Sequence, residues 1–155
     1  MSDYFNLLGN GSAVISDFGH AFLGQRLGCG IGREVYEFLP DRSKVAKVET
    51  TTQSFQNIRE WETWSELADT PHAKWLAPCR LISPCGIVLL MDRTEPVRER
   101  DMPARLPAWL SDLKRENYGI LKGRFVCHDY GLNLLINHGA FAAKMVKRQW
   151  SEVGR

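Results

Sequence analysis

A glycine cluster between strand-forming residues limits the fold of this chain more than any other feature. The cluster spans Leu27 to Phe38 and contains Gly28, Gly30 and Gly32. The side chains after the glycines, including Val35, favour extended backbone, so we predict two strands joined by a glycine-rich turn. Backbone N–H groups in such a turn can approach a phosphate, because no Cβ stands in the way. An ordinary hairpin is the alternative, and the strand after the glycines excludes a dinucleotide-binding fingerprint.

Length and charge narrow the classes of protein. The chain has 155 residues, which suits one domain with a hydrophobic core. Its net charge of +2 argues against a nucleic-acid partner. No apolar run approaches the roughly 20 residues of a membrane span, and the N-terminus shows no signal-peptide pattern, so we expect a cytoplasmic protein without a membrane partner. No cysteine pair has C-x-x-C spacing, which favours reduced thiols, with a Cys79–Cys85 disulfide as the alternative.

A third strand is predicted after the glycine cluster, at Lys44–Glu49. Side chains alternate along a strand, so Val45 and Lys47 share one face. If that face looks toward the glycine turn, Lys47 could reach a bound phosphate. A solvated lysine is the alternative.

The longest predicted helix runs from Thr51 to Asp69. Apolar residues recur in it at every third position: Phe55, Ile58, Trp61, Trp64 and Leu67. We interpret them as an apolar stripe, with Thr52 or Ser54 as the N-terminal cap. Glu60 and Glu62 lie at the edges of this stripe, and either could form an ion pair with Lys47.

The second half of the chain mixes apolar and charged segments. Cys79–Ile82 and Gly86–Met91 are predicted strands, the second of them buried, and it ends in a charged segment at Asp92–Pro96. We predict a short helix at Pro103–Leu113 and a basic amphipathic helix at Ala140–Trp150. Leu121–Arg124 is predicted to be a hairpin turn.

Two short motifs bring chemically active side chains together. The first, D-L-K-x-x-N, contains Asp112, Lys114 and Asn117, and the second, D-Y-G, begins at Asp129. A carboxylate, a lysine and an amide on one loop, with a second carboxylate after a strand, could supply a base and two Mg²⁺ ligands to a phosphoryl group.

The order of these features resembles the eukaryotic-type protein kinase superfamily, including its compact and aminoglycoside-phosphotransferase-like branches. The resemblance covers roughly Leu27 to Gly131. It implies an α+β, protein kinase-like fold: an antiparallel five-stranded N-lobe sheet with one long helix, and a reduced, mostly helical C-lobe. The chain would then be a single minimal domain, with an N-lobe at about residues 1–92, a hinge at 93–97 and a truncated C-lobe at 98–155.

The resemblance also implies roles for individual residues, with ATP and Mg²⁺ bound. Nucleotide-binding residues would be Gly28, Gly30, Gly32, Val35, Val45, Lys47, Met91, Asp92 and Thr94. Catalytic residues would be Asp112 as the base, Lys114 at the transferred phosphate, and Lys47 with its partner Glu60, or Glu62 as the fallback. Metal ligands would be Asn117 and Asp129.

Several departures from the family pattern affect the functional prediction. Arg33 stands where the family has its third loop glycine, and Leu110-Ser111 replaces the His-Arg before the catalytic Asp. Few residues follow Asp129, so segments that dock a peptide substrate are not expected. We predict an ATP- and Mg²⁺-dependent phosphotransferase whose acceptor is a protein Ser/Thr or a small hydroxylated molecule.

The alternative is a pseudokinase-like binding or inhibitory module that acts on a protein partner without phosphoryl transfer. Transfer of AMP or another group is a third possibility. The small size suggests an effector from a phage or mobile element.

Overall fold

A five-stranded antiparallel sheet forms the largest part of the computed structural model, which describes residues 17, 19–51, 54–131 and 144–150. Its strands are β1 (Leu23–Gly30), β2 (Arg33–Phe38), β3 (Lys44–Glu49), β4 (Cys79–Ile82) and β5 (Val88–Asp92). They lie in the order β1-β2-β3-β5-β4. The strands predicted at Lys44–Glu49 and Cys79–Ile82 are confirmed.

Strand β3 lies at the centre of this sheet, and its pairing with β2 and β5 shows which side chains share a face. Arg33 pairs with Glu49, and Val35 with Lys47, across β2 and β3. Met91 pairs with Val45 across β5 and β3. Cross-strand partners point to the same side of a sheet. One face therefore carries the charged residues Arg33, Lys47 and Glu49 beside the apolar Val35, Val45 and Met91.

Helix α1 (Gln56–Leu67) lies against that sheet and is shorter than predicted. The Glu49 carboxylate caps its N-terminus, accepting hydrogen bonds from the backbone N–H groups of Phe55 (2.9 Å) and Asn57 (2.7 Å). A carboxylate there satisfies free N–H groups and interacts favourably with the helix dipole. The predicted cap at Ser54 is therefore wrong, and Thr52 lies outside the described residues.

The predicted apolar stripe coincides with the buried face of α1 only at Leu67. The buried residues of the helix are Asn57, Glu60, Thr63 and Leu67. Each residue of an α-helix turns by about 100°, so a row with a spacing of three drifts by about 60° per step and winds around the helix. Phe55, at the start of that row, is half exposed. Polar residues occupy the buried face because the helix supplies side chains to a polar cluster.

The remainder of the described chain contains short strands, 3-10 turns and irregular segments. Strands β6 (Glu95–Pro96), β8 (Tyr118–Leu121) and β9 (Arg124–Cys127) form one small sheet, and β7 (Arg105–Pro107) and β10 (Met145–Lys147) form another. Single 3-10 turns lie at Ala73–Trp75, Glu99–Asp101 and Arg115–Asn117, and residues 19–22 are helical.

The predicted fold class is wrong, because the segment expected to be mostly helical is built of strands and turns wherever the structure describes it. The predicted helix at Pro103–Leu113 is instead β7 and irregular chain. Pro107 lacks an N–H donor and disrupts a helix interior. In β8 and β9, aromatic and β-branched residues favour extended backbone. The hairpin turn predicted at Leu121–Arg124 is present, with positive φ at Lys122 and Gly123.

The basic helix predicted at Ala140–Trp150 is also wrong over its described part. Residues 140–143 lie outside the described residues, and Met145–Lys147 form β10. The Arg148 guanidinium donates hydrogen bonds to the carbonyl oxygens of Pro107, Ala108 and Leu110, at 2.6–3.1 Å. Pairing with β7 and these contacts stabilise an extended backbone over the helix that the local pattern favours.

One contiguous hydrophobic cluster joins the large sheet to the small ones. It includes Met91 from β5, Leu106 from β7 and Val126 from β9. All four cysteines are free thiols, so the Cys79–Cys85 disulfide is not formed. Within the described ranges, no helix has the length and apolar character needed to cross a membrane.

Candidate functional site

A buried ion pair between Lys47 and Glu60 lies at the centre of the site. Lys47 Nζ is 2.8 Å from Glu60 Oε2 and 3.0 Å from Oε1. The Lys47 and Glu60 side chains are 4% and 0% exposed, respectively. Strand β3 and helix α1 therefore meet through opposite charges. Glu62 is exposed on the same helix, so the partner of Lys47 is Glu60 and not the fallback.

The Glu60 carboxylate also organises the chain after Asp129. Its Oε1 accepts hydrogen bonds from the backbone N–H groups of Tyr130 (3.0 Å) and Gly131 (3.3 Å). Burial alone would raise the pKa of Glu60, but the charges of Lys47 and Arg33 outweigh burial and lower the pKa to about 2. Glu60 is therefore ionised at neutral pH.

The close approach of residue 131 to helix α1 explains why the D-Y-G motif ends in glycine. A Cβ built there would lie 2.8 Å from the Gln56 carbonyl oxygen and 3.2 Å from Glu60 Cγ. Only a residue without a side chain allows the backbone to approach α1 this closely.

Arg33 is the main site residue that sequence reasoning did not assign. It begins β2, is 4% exposed, and its guanidinium lies between two carboxylates. Nη2 is 3.1 Å from Glu60 Oε1 and 2.8 Å from Asp129 Oδ1. Nη1 is 3.0 Å from Glu60 Oε2 and 3.3 Å from Asn57 Oδ1. Strand alternation offered a signal, because Arg33 and Val35 are two residues apart and share a face.

Asp129 lies at the exposed side of this charge cluster, with its side chain 45% exposed. Its backbone N–H bonds weakly to the Asn117 carbonyl oxygen (3.3 Å), and the N–H of His128 bonds to the same oxygen (2.8 Å). Lys47 Nζ also donates a hydrogen bond to the His128 carbonyl oxygen. The structure thus brings together four predicted site residues: Lys47, Glu60, Asn117 and Asp129.

His128 connects the segment after β5 to the loop that carries Asn117. Its Nε2 lies 2.7 Å from the Glu116 carbonyl oxygen, and its Nδ1 lies 2.7 Å from the Thr94 hydroxyl. A carbonyl oxygen only accepts, so Nε2 carries the hydrogen and Thr94 donates to Nδ1 in the neutral ring. Burial, followed by the charge of Lys47, lowers the pKa of His128, which favours this neutral form.

A cavity of about 370 Å³ lies beside this histidine. It is lined by Thr94, Pro96, Val97, Arg115, Glu116, Tyr118 and His128. Its volume falls within the range of small-molecule sites. The predicted nucleotide residue Thr94 therefore borders a cavity that reaches the Asn117 loop.

The other residues predicted around the base are mostly part of the protein's own framework. Met91 is fully buried and Val45 nearly so, both in the hydrophobic cluster. The Asp92 carboxylate accepts two hydrogen bonds from Arg80, at 2.5 and 2.8 Å. The backbone N–H groups of Asp92 and Arg93 donate to the carbonyl oxygens of Pro78 and Ser43. These two N–H groups are therefore occupied by protein acceptors.

The glycine hairpin is a two-residue turn at Ile31 and Gly32. A Cβ added at Gly28 would find open space, and one at Gly30 would lie 4.0 Å from the Arg33 carbonyl oxygen. Gly32 has a φ of +80°, which side chains rarely adopt. Ile31 at the tip is 97% exposed. The hairpin backbone is therefore accessible next to the strand that carries Arg33.

Asp112 and Lys114 form a separate pair on the loop before β8. Lys114 Nζ lies 3.7 Å from Asp112 Oδ2, and both side chains are about half exposed. The Tyr118 hydroxyl donates to the Asp112 carbonyl oxygen (3.0 Å), and the Asn117 N–H donates to the Lys114 carbonyl oxygen (3.0 Å). These bonds fold the loop so that it leads from Asp112 directly to Asn117.

The donor atoms suit Mg²⁺ chemically. The Asn117 amide and the Asp129 carboxylate offer the oxygen ligands that Mg²⁺ prefers, and this ion usually takes its remaining ligands from water and phosphate. In the part of the chain that the structure describes, no cluster of three or more His, Cys, Asp or Glu residues could hold a metal. Asp129 Oδ1 bonds to Arg33, so a metal there would compete with that guanidinium.

Comparison with known proteins adds no family assignment: no protein-family model and no curated protein matches the chain.

Proposed function

We propose that this chain is an ATP- and Mg²⁺-dependent phosphotransferase whose site residues correspond to those of the protein kinase-like superfamily. The acceptor would be a protein Ser/Thr or a small hydroxylated molecule. The observation that carries the proposal is the buried Lys47–Glu60 ion pair, with a contact of 2.8 Å, beside the half-exposed Asp129. A buried lysine held by a glutamate next to a half-exposed carboxylate and an amide is an arrangement that phosphoryl transfer uses.

The chemistry follows from the roles that these groups can take. The acceptor oxygen would form a bond to the γ-phosphorus, while the bond from that phosphorus to the β–γ bridging oxygen breaks and ADP leaves. Asp112 would accept the hydroxyl proton, and Lys47 and Lys114 would neutralise charge on the phosphates. Mg²⁺, held by Asn117 and Asp129, would supply further charge neutralisation.

The proposal is tested by following the γ-phosphate of radiolabelled ATP in the presence of Mg²⁺. Because the acceptor is unidentified, ADP formation and the intact mass of the protein are measured together. Wild type is compared with Asp112→Asn and Asp129→Asn. We expect Asp112→Asn to reduce turnover at least about 100-fold, the lower range for loss of a positioned acid–base group. Asp129→Asn should also reduce turnover strongly, because it removes the charged ligand of the metal.

Asp101→Asn is the matched control for this experiment. Asp101 is an exposed aspartate at the end of the 3-10 turn Glu99–Asp101, and it forms an ion pair with Arg98. It should retain wild-type turnover. Equal rates for wild type, Asp112→Asn and Asp129→Asn would refute the proposal.

A binding module acting on a protein partner is the second candidate. It is favoured by the Arg33–Asp129 contact of 2.8 Å, in which a protein cation binds the carboxylate that is expected to hold the catalytic metal ion. Such a module would show no ADP formation in any variant. Capture of a partner that is unaffected by Asp112→Asn would support it over catalysis.

A further inference from the structure

Arg33 holds the predicted metal ligand Asp129 through one of the four polar contacts that its guanidinium makes. Two of the others go to Glu60, at 3.0 and 3.1 Å, and the last goes to Asn57 at 3.3 Å. Glu60 is fully buried and Asp129 is 45% exposed. Arg33 would therefore stay anchored on Glu60 if its contact with Asp129 were released.

The local charges favour that release when a metal binds. In the structure, two cations, Lys47 and Arg33, face the anions Glu60 and Asp129, and Glu49 lies opposite Arg33 on the same face of the sheet. A divalent cation on Asp129 would lie next to the guanidinium, and like charges a few ångströms apart in a partly buried site repel strongly. Arg33 and a metal are therefore competitors for one carboxylate.

We propose that Arg33 is a positioning residue that holds Asp129 in the metal-free protein and releases it when metal and nucleotide bind. The inference rests on the proposed function in taking Asp129 as a metal ligand. Because Arg33 directly follows the Ile31–Gly32 turn, release would also uncouple the glycine hairpin from Asp129. Asp129 would then be held by Arg33 in the absence of metal and would be free to bind the metal only when metal and nucleotide are present together.

Binding of Mn²⁺ in the presence of ADP tests the proposal, because it can be read by electron paramagnetic resonance without turnover. The variants are Arg33→Lys, which keeps the charge but cannot span both carboxylates, and Arg33→Met, which removes the charge. We expect both to bind Mn²⁺ at least about fivefold more tightly than wild type, the lower end of typical coupling between two ligands. Asp129→Asn in the Arg33→Lys background should abolish the gain.

Arg93→Met is the control for net charge. Arg93 pairs with Glu37 at the end of the large sheet, so its removal changes the charge without touching Asp129. Unchanged or weaker Mn²⁺ binding in both Arg33 variants would overturn the proposal. The proposal would also be overturned if Arg33→Met and Arg93→Met gained the same Mn²⁺ affinity while Arg33→Lys gained none. Only the overall charge would matter in that case.

Wild type provides a readout that does not depend on the folding of variants. The side-chain ¹⁵N signal of Arg33 should shift when Mg²⁺ is added to the protein with ADP, and it should not shift with K⁺ at equal ionic strength. An unchanged signal at saturating Mg²⁺ would contradict the exchange. If no variant transfers phosphate but the Arg33 variants still gain Mn²⁺ affinity, the proposed function fails and this inference stands. If phosphate is transferred but the Arg33 variants gain no Mn²⁺ affinity, only this inference is rejected.

Discussion

Replacing Glu60 with glutamine should destabilise the protein more than any other substitution of a helix glutamate. The Glu60 side chain is 0% exposed and faces Lys47 and Arg33 within 3.1 Å. Glutamine removes the negative charge and leaves two buried cations. Breaking a buried pair in this way typically costs about 3–5 kcal/mol.

The pKa of Glu60 gives a second value for the contribution of its charge to the free energy of unfolding. Its lowering from 4.5 to about 2 corresponds to about 3 kcal/mol of stabilisation at neutral pH, since each pKa unit is worth about 1.4 kcal/mol. A carboxyl whose folded pKa lies below its unfolded pKa stabilises the protein fully above the unfolded value. That stabilisation disappears as the pH falls from about 4.5 toward 2, and about 2 kcal/mol of it should be gone by about pH 3.

Urea unfolding followed by tryptophan fluorescence measures both effects, since the chain contains five tryptophans. The free energy of unfolding should fall by about 3–5 kcal/mol in Glu60→Gln at pH 7. The gap from wild type should narrow as the pH is lowered toward 3. Glu62→Gln, an exposed change on the same helix, should stay within about 0.5 kcal/mol of wild type. A loss below about 1 kcal/mol, or a gap that does not change with pH, would refute this reasoning.

Two glycine substitutions separate packing from ligand access. Gly131→Ala should lower the free energy of unfolding by about 1–3 kcal/mol, because its Cβ would lie 2.8 Å from the Gln56 carbonyl oxygen; urea unfolding at wild-type stability would contradict this. Gly28→Ala meets no atom within 4 Å, so stability should change little while ATP affinity falls, since the new methyl group occupies space beside the hairpin backbone. Thermal unfolding with and without ATP and Mg²⁺ measures both quantities, and unchanged affinity would argue against phosphate binding at this hairpin.

The strands around Lys47 could be predicted from sequence because their signals are local. Alternation in Lys44–Glu49 and the apolar run ending at Met91 specify extended segments without reference to distant residues. The ion pair of Lys47 followed from the same alternation and from two candidate glutamates. Only the observed packing of α1 separates Glu60 from Glu62.

Apart from the turn between β8 and β9, the small sheets could not be predicted, because their strands have two to four residues and some depend on distant partners. Strand β7 pairs with β10, and the Arg105 guanidinium reaches the Met145 carbonyl oxygen 40 residues away. Local sequence carries no information on such a pairing, so helix propensity at Ala140–Trp150 gave the wrong result. Arg33 was missed for another reason: it was interpreted as a replaced glycine, although its position in β2 places it on the face of Lys47.

The most direct test of the central claim is calorimetric titration with the non-hydrolysable β,γ-imido analogue of ATP, with and without Mg²⁺. The proposed site predicts saturable binding at one site that requires Mg²⁺. Binding should be lost in Asp129→Asn and retained in Asp101→Asn. If wild type shows no binding with Mg²⁺, or binds equally well in Asp129→Asn, then Lys47, Asn117 and Asp129 do not form a metal–nucleotide site.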